Sequence, residues 1–299
     1  MGQRRAALGT VSGSSTKPPL VVLAAGRARR YGGVKPLAPV GPHGEAVIDL
    51  VASDALAAGF GSIVLVLGPA TGPAIRYHVE HTWPAHVDVR FALQEAPLGT
   101  VHAVLSASEY VGDTPYGVGN ADDIYGRPAC SLLAAHLMAL DPTNALVGFR
   151  LADAVVGTAP VTRGICQVGP AGQLLRVDER RQVTAQPDGS FASADGREPS
   201  ELSPDARVSM NLWGFTPAFH KTLQAAMAAA TGASEDAEVL LPEVVAESLD
   251  TSPFTVLPAA GRCIGVTHPD DLALVQGELA RQVGQGVRPA TLWSLGENA

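Results

Sequence analysis

Apolar and polar positions follow two rhythms along the first 150 residues of this chain. Short runs dense in Val, Ile and Leu, such as Leu20-Val-Val-Leu23 and Ser62-Ile-Val-Leu-Val-Leu67, are separated by longer stretches in which apolar residues recur every three or four positions. Short continuous apolar runs suit strands buried on both faces, and the longer period suits helices packed along one side. The pattern predicts strands over 20–23, 62–67, 87–93, 116–119 and 145–149, and helices over 47–58, 74–81, 100–108 and 128–140. The first helix mixes Asp49, Ser53 and Asp54 with Leu50, Leu56 and Ala57 as a surface helix does, and Gly59 is placed to end it. Strands that alternate with helices imply crossover units on a largely parallel sheet.

The rhythm changes after residue 163. Segments 164–168 and 173–177, joined by Gly169-Pro-Ala-Gly172, read as a hairpin. Residues 184–203 are polar, carry Asp188-Gly189 and Asp195-Gly196 turn signals, and read as a flexible insert. A strand follows over 208–215, then helices over 217–230 and 237–249, the second interrupted by Pro242. Late strands are expected over 254–257 and 262–266, and a closing helix over 270–282. Residues 1–19 read as a disordered tail and 284–299 as a loosely packed one. One domain remains, residues 20–283, with a first part to about 160 and a second from about 161. No internal repeat is visible.

Composition narrows the class. A chain of 299 residues that is 46% hydrophobic and 17% charged can build a sizeable core and is not globally disordered. No run of about 18 apolar residues signals a membrane span, and the N-terminus lacks the apolar stretch of a secretory signal. Cys130, Cys166 and Cys263 are widely spaced, so neither a zinc site nor a disulfide framework is expected, and a reducing cytoplasm fits. A net charge of −8 and a pI near 5.4 argue against a nucleic-acid partner. The oligomeric state stays open, and a homo-oligomer is compatible with the sequence.

Charge departs from this background in one place. Arg27, Arg29, Arg30 and Lys35 put four cations into nine residues, in a chain with only 21 Lys and Arg. They follow the first strand on a loop that holds Gly26, Gly32 and Gly33. Cations and close backbone on a loop after a strand suit a polyanion, most simply a nucleoside triphosphate. The loop is not a Walker loop, because Pro36 follows Lys35, and it is not a dinucleotide fingerprint, because position 28 is Ala.

Two further motifs carry chemistry. Gln94-Glu-Ala-Pro-Leu-Gly-Thr-Val-His-Ala103 follows a strand and opens a helix. A Gln amide beside a glycine can pair with a nucleobase edge and leave room for the ring. The local alternative is an ordinary loop with Thr100 as helix cap, and His102 reads as structural. In Val118-Gly-Asn-Ala-Asp-Asp-Ile-Tyr-Gly126 an apolar strand ends in paired carboxylates. Open α/β sheets bind ligands at such strand ends, and a hard carboxylate there suits Mg2+ on a triphosphate. The alternative is a helix-capping pair.

In this order and spacing, over residues 20–274, the motifs resemble the sugar-1-phosphate nucleotidyltransferases, the sugar nucleotide pyrophosphorylases. Tyr31-Gly-Gly, Asn120-Ala-Asp-Asp and Ser209-Met-Asn-Leu-Trp-Gly-Phe215 are similar to a bacterial NTP-transferase subgroup. The resemblance implies a Rossmann-like three-layer α/β fold with a mostly parallel, mixed central sheet. It implies that Ala25 and Gly26 wrap the triphosphate, Arg30 and Lys35 polarise it, Gln94, Gly99 and Thr100 read the base, and Asp122 holds Mg2+. A second metal ligand is implied at Glu243, with Glu238 as alternative. For the acceptor it implies Gly164, Glu179, Arg180 and Asn211, with Arg181 in support. Local alternatives are a solvated charge run for 178–181 and a core strand with a capped Asn211. Ala28 departs from the family, which often has Gly there, and so does Asp123, where an Asn often follows.

The activity implied is transfer of NMP from an NTP to a sugar 1-phosphate, giving an NDP-sugar and pyrophosphate. The partners implied are the NTP and a small phosphorylated acceptor. Gln94 offers an amide donor and acceptor that complement the imide edge of uracil or thymine, which favours UTP or dTTP. A cyclitol phosphate or a phosphocholine-like acceptor is the alternative, as is a catalytically silent nucleotide-sensing subunit. Retention of Arg30, Lys35 and Asp122 disfavours the silent subunit.

Overall fold

The apolar runs become strands whose successive residues feed two separate cores. In the computed structural model the described residues are 17–26, 33–234, 237–265 and 271–293. Strand β1 (Pro19–Ala24) sends Leu20 and Val22 into one core and Val21 into the other. After helix α1 (Val47–Ala57), strand β2 (Ser62–Leu67) divides the same way, Ile63 and Leu65 against Val64 and Val66. This is why these runs read as continuous rather than alternating: both faces of the sheet are covered.

The first part continues with α2 (Gly72–Thr82), β3 (Val89–Leu93), α3 (Gly99–Leu105), α4 (Ser108–Val111), β4 (Tyr116–Asn120), β5 (Asp123–Ile124), α5 (Arg127–Leu137) and β6 (Asn144–Arg150). Strands β4, β1, β2 and β3 lie side by side in parallel. Residues of α1 and α5 fill one core, and those of α3 fill the other. The second part holds α6 (Leu151–Ala154), β7 (Val161–Val168), β8 (Leu174–Ala185), β9 (Phe191–Ser193), β10 (Glu201–Leu202), β11 (Arg207–Phe215), α7 (Pro217–Ala233), α8 (Leu241–Ser248), β12 (Phe254–Pro258), β13 (Ile264–Gly265) and α9 (Leu272–Gly284). It pairs mainly antiparallel: β11 lies against β4, β6 and β7, and the sheet runs on through β8 and β9 to β10. Strand β12 adds in parallel to β6, and β13 pairs with β5 as a small separate ribbon. The sheet is therefore mixed, parallel around β1 and antiparallel beyond β4. Among the described residues no helix is long and apolar enough to cross a membrane.

Four expectations change. Residues 184–203 are not a flexible insert: β9 and β10 extend the sheet, and Arg180 grips the loop between them by a buried, two-pronged bond to Asp195 at 2.9 and 3.0 Å. Pro242 does not interrupt a long helix; it lies in the first turn of α8, where a missing N–H costs nothing. Helix α1 is not a surface helix. Asp49 and Asp54 are both buried, because Asp49 accepts from the Ala46 amide (2.8 Å) and Trp83 Nε1 (2.7 Å), and Asp54 binds Arg288 at 3.0 and 2.8 Å. That last bond also corrects the loose C-terminal tail: Arg288 is buried, and Trp293 packs on Trp83 with ring centres 5.0 Å apart. Residues 1–16 of the expected N-terminal tail and 294–299 of the expected C-terminal one lie outside the described residues.

Candidate active site

Strand β11 changes partners partway along its length, and the sheet opens there. Its first half, at Val208 and Ser209, pairs with β7, and its second half, Trp213 to Phe215, pairs with β4. The register slips between Ser209 and Trp213. Asn211 sits in the slip with φ of 58°, a left-handed conformation that Asn tolerates better than most residues. The C-terminal end of β4 and the middle of β7 are thereby held apart, and a cavity of about 580 Å3 lies between them. A crevice at the C-terminal ends of strands, where neighbours switch, is the usual ligand site of open α/β sheets.

One wall is acidic and holds a single lysine. Lys35 lies in a one-turn helix, Lys35–Leu37, and its Nζ meets Asp122 Oδ2 at 2.5 Å. Asp123, next in the chain, accepts from Asn120 Nδ2 at 2.9 Å. Burial raises the Asp123 carboxyl above the usual carboxylate range, and the charge of Asp122 raises it further. Two adjacent carboxylates that repel each other, lining a polar cavity, have the hard oxygen chemistry that suits Mg2+. Glu243 lines the same cavity, whereas Glu238 is exposed and does not. Among the described residues, no three His, Cys, Asp or Glu side chains gather into a metal-binding group, so Glu243 and Asp122 share a cavity rather than a cluster.

The opposite wall comes from β7 and β8. Gly164 pairs in register with Glu179, and both line the cavity. A Cβ on Gly164 would come within 2.9 Å of Val177 Cγ1, so a larger residue would require the Val177 side chain to shift. Side chains alternate along a strand, which puts Glu179 and Arg181 on one face and Arg180 on the other. The structure therefore corrects Arg180: it is 4% exposed, bound to Asp195 and to the carbonyls of Pro199 and Arg197, and does not line the cavity. Arg181 does line it, with Nε 3.3 Å from Glu179 Oε1. Asn211 accepts from Trp213 Nε1 at 3.3 Å, which leaves its NH2 group uncommitted among the described residues. The cavity also contains a cation that the motifs do not single out, Arg163. A charged residue inside the apolar run Val161-Thr-Arg-Gly-Ile-Cys166 was the available signal.

The Gln94 motif forms a separate cluster beside the cavity. Gln94 is buried, and its Nε2 donates to the Gly99 carbonyl at 3.0 Å, using one of its two N–H groups. Gly99 has φ of 90°, and a Cβ there would collide with the backbone of Val239. Thr100 is not the cap of its own helix; its hydroxyl accepts from the Leu241 amide at 2.7 Å, at the start of α8. With Val239 N bonded to Leu98 O and Val101 N to Val239 O, the motif is stitched to the segment that leads into Leu240 and Glu243 on the cavity wall. His102 bonds the Ala96 carbonyl at 3.0 Å. Ala25 and Gly26 leave the end of β1, half-buried and exposed, and among the described residues nothing lies within 4 Å of where a Cβ on Gly26 would stand. Arg30 lies outside the described residues. The structure thus brings Lys35, Asp122, Gly164, Glu179, Asn211 and Glu243 to one cavity, places Gln94, Gly99 and Thr100 beside it, and sets Arg180 apart.

A family model described as the MobA-like NTP transferase domain matches residues 20–240. Among solved structures, a UDP-glucose pyrophosphorylase from Acinetobacter baumanii superposes with a TM-score of 0.60 at 16% identity, over 91% of this chain and 100% of that one. A UDP-glucose pyrophosphorylase complexed with UDP-glucose superposes with a TM-score of 0.61 at 12% identity, over 89% of this chain and 99% of that one. A search of curated proteins found no match.

Proposed function

Because the chain belongs to the MobA-like NTP transferase domain family, we propose that it transfers NMP from an NTP, UTP or dTTP by preference, to a sugar 1-phosphate, giving an NDP-sugar and pyrophosphate. The observation that carries this reading is the Lys35–Asp122 pair in the wall of a cavity that is also lined by Glu179, Arg181 and Asn211. Cation and carboxylate at the strand ends suit a triphosphate, and the polar far wall suits a hydroxylated, phosphorylated acceptor.

In this reading an acceptor phosphate oxygen attacks the α-phosphorus in line, and pyrophosphate leaves. A phosphate oxygen is already ionised at neutral pH, so no protein nucleophile or general base is needed. The chain's task is to position two anions and stabilise charge. Lys35, with Arg30, holds the triphosphate. Asp122, with Asp123 beside it, would hold Mg2+, which when bound neutralises triphosphate charge. Glu179 would accept from acceptor hydroxyls, Asn211 would donate to them, and Arg181 rather than Arg180 would face the acceptor. Gln94 keeps one N–H and its carbonyl oxygen for a base edge.

Pyrophosphate release with each NTP, Mg2+ and a panel of sugar 1-phosphates tests the proposal. The expected result is release that depends on both UTP or dTTP and a sugar 1-phosphate. Release only with a cyclitol phosphate or phosphocholine-like acceptor would overturn the sugar, and no release with any acceptor would overturn the reaction.

A further inference from the structure

Among the described residues three cationic side chains line the cavity, and two already have a counter-charge. Lys35 is paired with Asp122, and Arg181 with Glu179. Arg163 has no carboxylate within ion-pairing distance among the described residues. Its guanidinium is held by neutral groups: Nε and Nη2 donate to the Ala154 carbonyl at 3.0 and 2.7 Å, and Nη1 donates to the Thr162 carbonyl at 2.7 Å. Three of its five N–H groups are thus committed, which fixes the plane of the fork and leaves two N–H groups over. A mostly buried cation held only by carbonyls is costly, and an arriving anion would relieve that cost. Asp123 is near enough for each charge to be felt by the other, without touching.

We infer that Arg163 is the phosphate-positioning residue of the acceptor subsite. The inference rests on the function proposed above and assigns the acceptor's anion a partner there. Arg163 pairs in register with Arg180, so its side chain leaves β7 on the face opposite Gly164 and Glu179, and it borders the cavity from the side of Asp123. It thus stands on a strand that lines the acceptor side and lies close to the carboxylates at which the reacting phosphates must meet. A planar guanidinium already oriented by two carbonyls suits a phosphate, which can take both remaining N–H groups.

Two variants and a binding measurement test this. Arg163→Gln should raise the KM for the acceptor phosphate roughly 10- to 100-fold, the usual loss of a charge-assisted pair, and leave the KM for NTP within about twofold. Arg163→Lys keeps the charge and a donor toward Ala154, and should recover part of that loss. Calorimetric titration of the wild type with inorganic phosphate should give binding that acceptor phosphate competes away and that Arg163→Gln loses, with no turnover involved. An unchanged acceptor KM in Arg163→Gln, or a raised NTP KM with the acceptor KM unchanged, overturns the inference. If Arg163→Gln does not fold, Arg163→Lys decides: phosphate binding and acceptor KM weakened against an unchanged NTP KM support it, and values equal to wild type for both overturn it. Failure of the parent reading looks different, because the wild type would then release no pyrophosphate with any acceptor.

Discussion

Lys35 and Asp122 are 87 residues apart in the chain, and their side chains meet at 2.5 Å in the wall of the cavity. The pair joins the cationic loop after β1 to the acidic end of β4. In the proposed reaction each partner would have a role beyond the other, Lys35 toward the triphosphate and Asp122 toward Mg2+. Lys35→Ala is expected to lower turnover on the order of 100-fold, as loss of one charge-stabilising group does, with the fold retained. Asp122→Asn should abolish Mg2+-dependent turnover at unchanged circular dichroism. Steady-state pyrophosphate release checks both, and near-normal rates in either variant would remove that residue from the reaction.

In the proposed function base choice would rest on Gln94. Its buried amide, held in one orientation by the Gly99 carbonyl, has one N–H and one oxygen to offer the imide edge of uracil or thymine, and cytosine presents donor and acceptor interchanged. UTP and dTTP are expected to exceed CTP roughly 5- to 150-fold in kcat/KM, the cost of one unpaired buried polar group. Gln94→Ala should flatten that ranking. Initial rates with the four ribonucleotides and dTTP measure it, and a ranking that survives Gln94→Ala assigns the base reader elsewhere.

Arg180 faces Asp195 rather than the cavity, so it is expected to serve stability rather than the acceptor. Arg180→Met should lower the melting temperature and leave the acceptor KM unchanged, the opposite of the pattern expected for Arg163. The pair also has a pH signature. The Arg180 guanidinium holds the Asp195 carboxyl well below the ordinary value of 3.8. A depressed carboxylate stabilises the fold above its unfolded-state pKa and loses that contribution as pH falls toward the folded one. Wild type should therefore exceed Asp195→Asn in stability at neutral pH, with the gap closing as pH drops below about 4. Denaturant melts of both proteins across that range check the sign.

At the other end of the molecule, Arg288→Met should cost about 3–5 kcal/mol, because it strands the buried Asp54 carboxylate. The double variant Asp54→Leu, Arg288→Met removes both charges and should recover most of that loss, since well-packed apolar pairs often match buried ion pairs. A double variant as unstable as the single one would show that the tail is held by something other than the pair.

Much of the fold is legible in the chain because apolar periodicity is a local property. The run 62–67 is a strand to the residue, and 20–23, 116–119 and 145–149 fall within one or two residues of their strands. Lys35, Asp122 and Gln94 stand out in the chain for the same reason, each in a short motif whose residue types suit phosphate, metal or base, and the structure sets the first two in the cavity and the third beside it. What the chain could not reveal by itself is which side of an element faces which partner. Glu179, Arg180 and Arg181 read as one charge run, and only the pairing of β8 with β7 turns Arg180 away from the cavity toward Asp195, 15 residues on. Asp54 reads as a solvent-facing residue until Arg288, 234 residues later, folds back onto it. Arg163 is a lone charge in a strand until the slip of β11 opens a cavity beside it. Local sequence sets the period of burial, whereas register and long-range return of the chain decide which groups meet, and only the second can turn a charge into a brace, a counter-ion or a binding site.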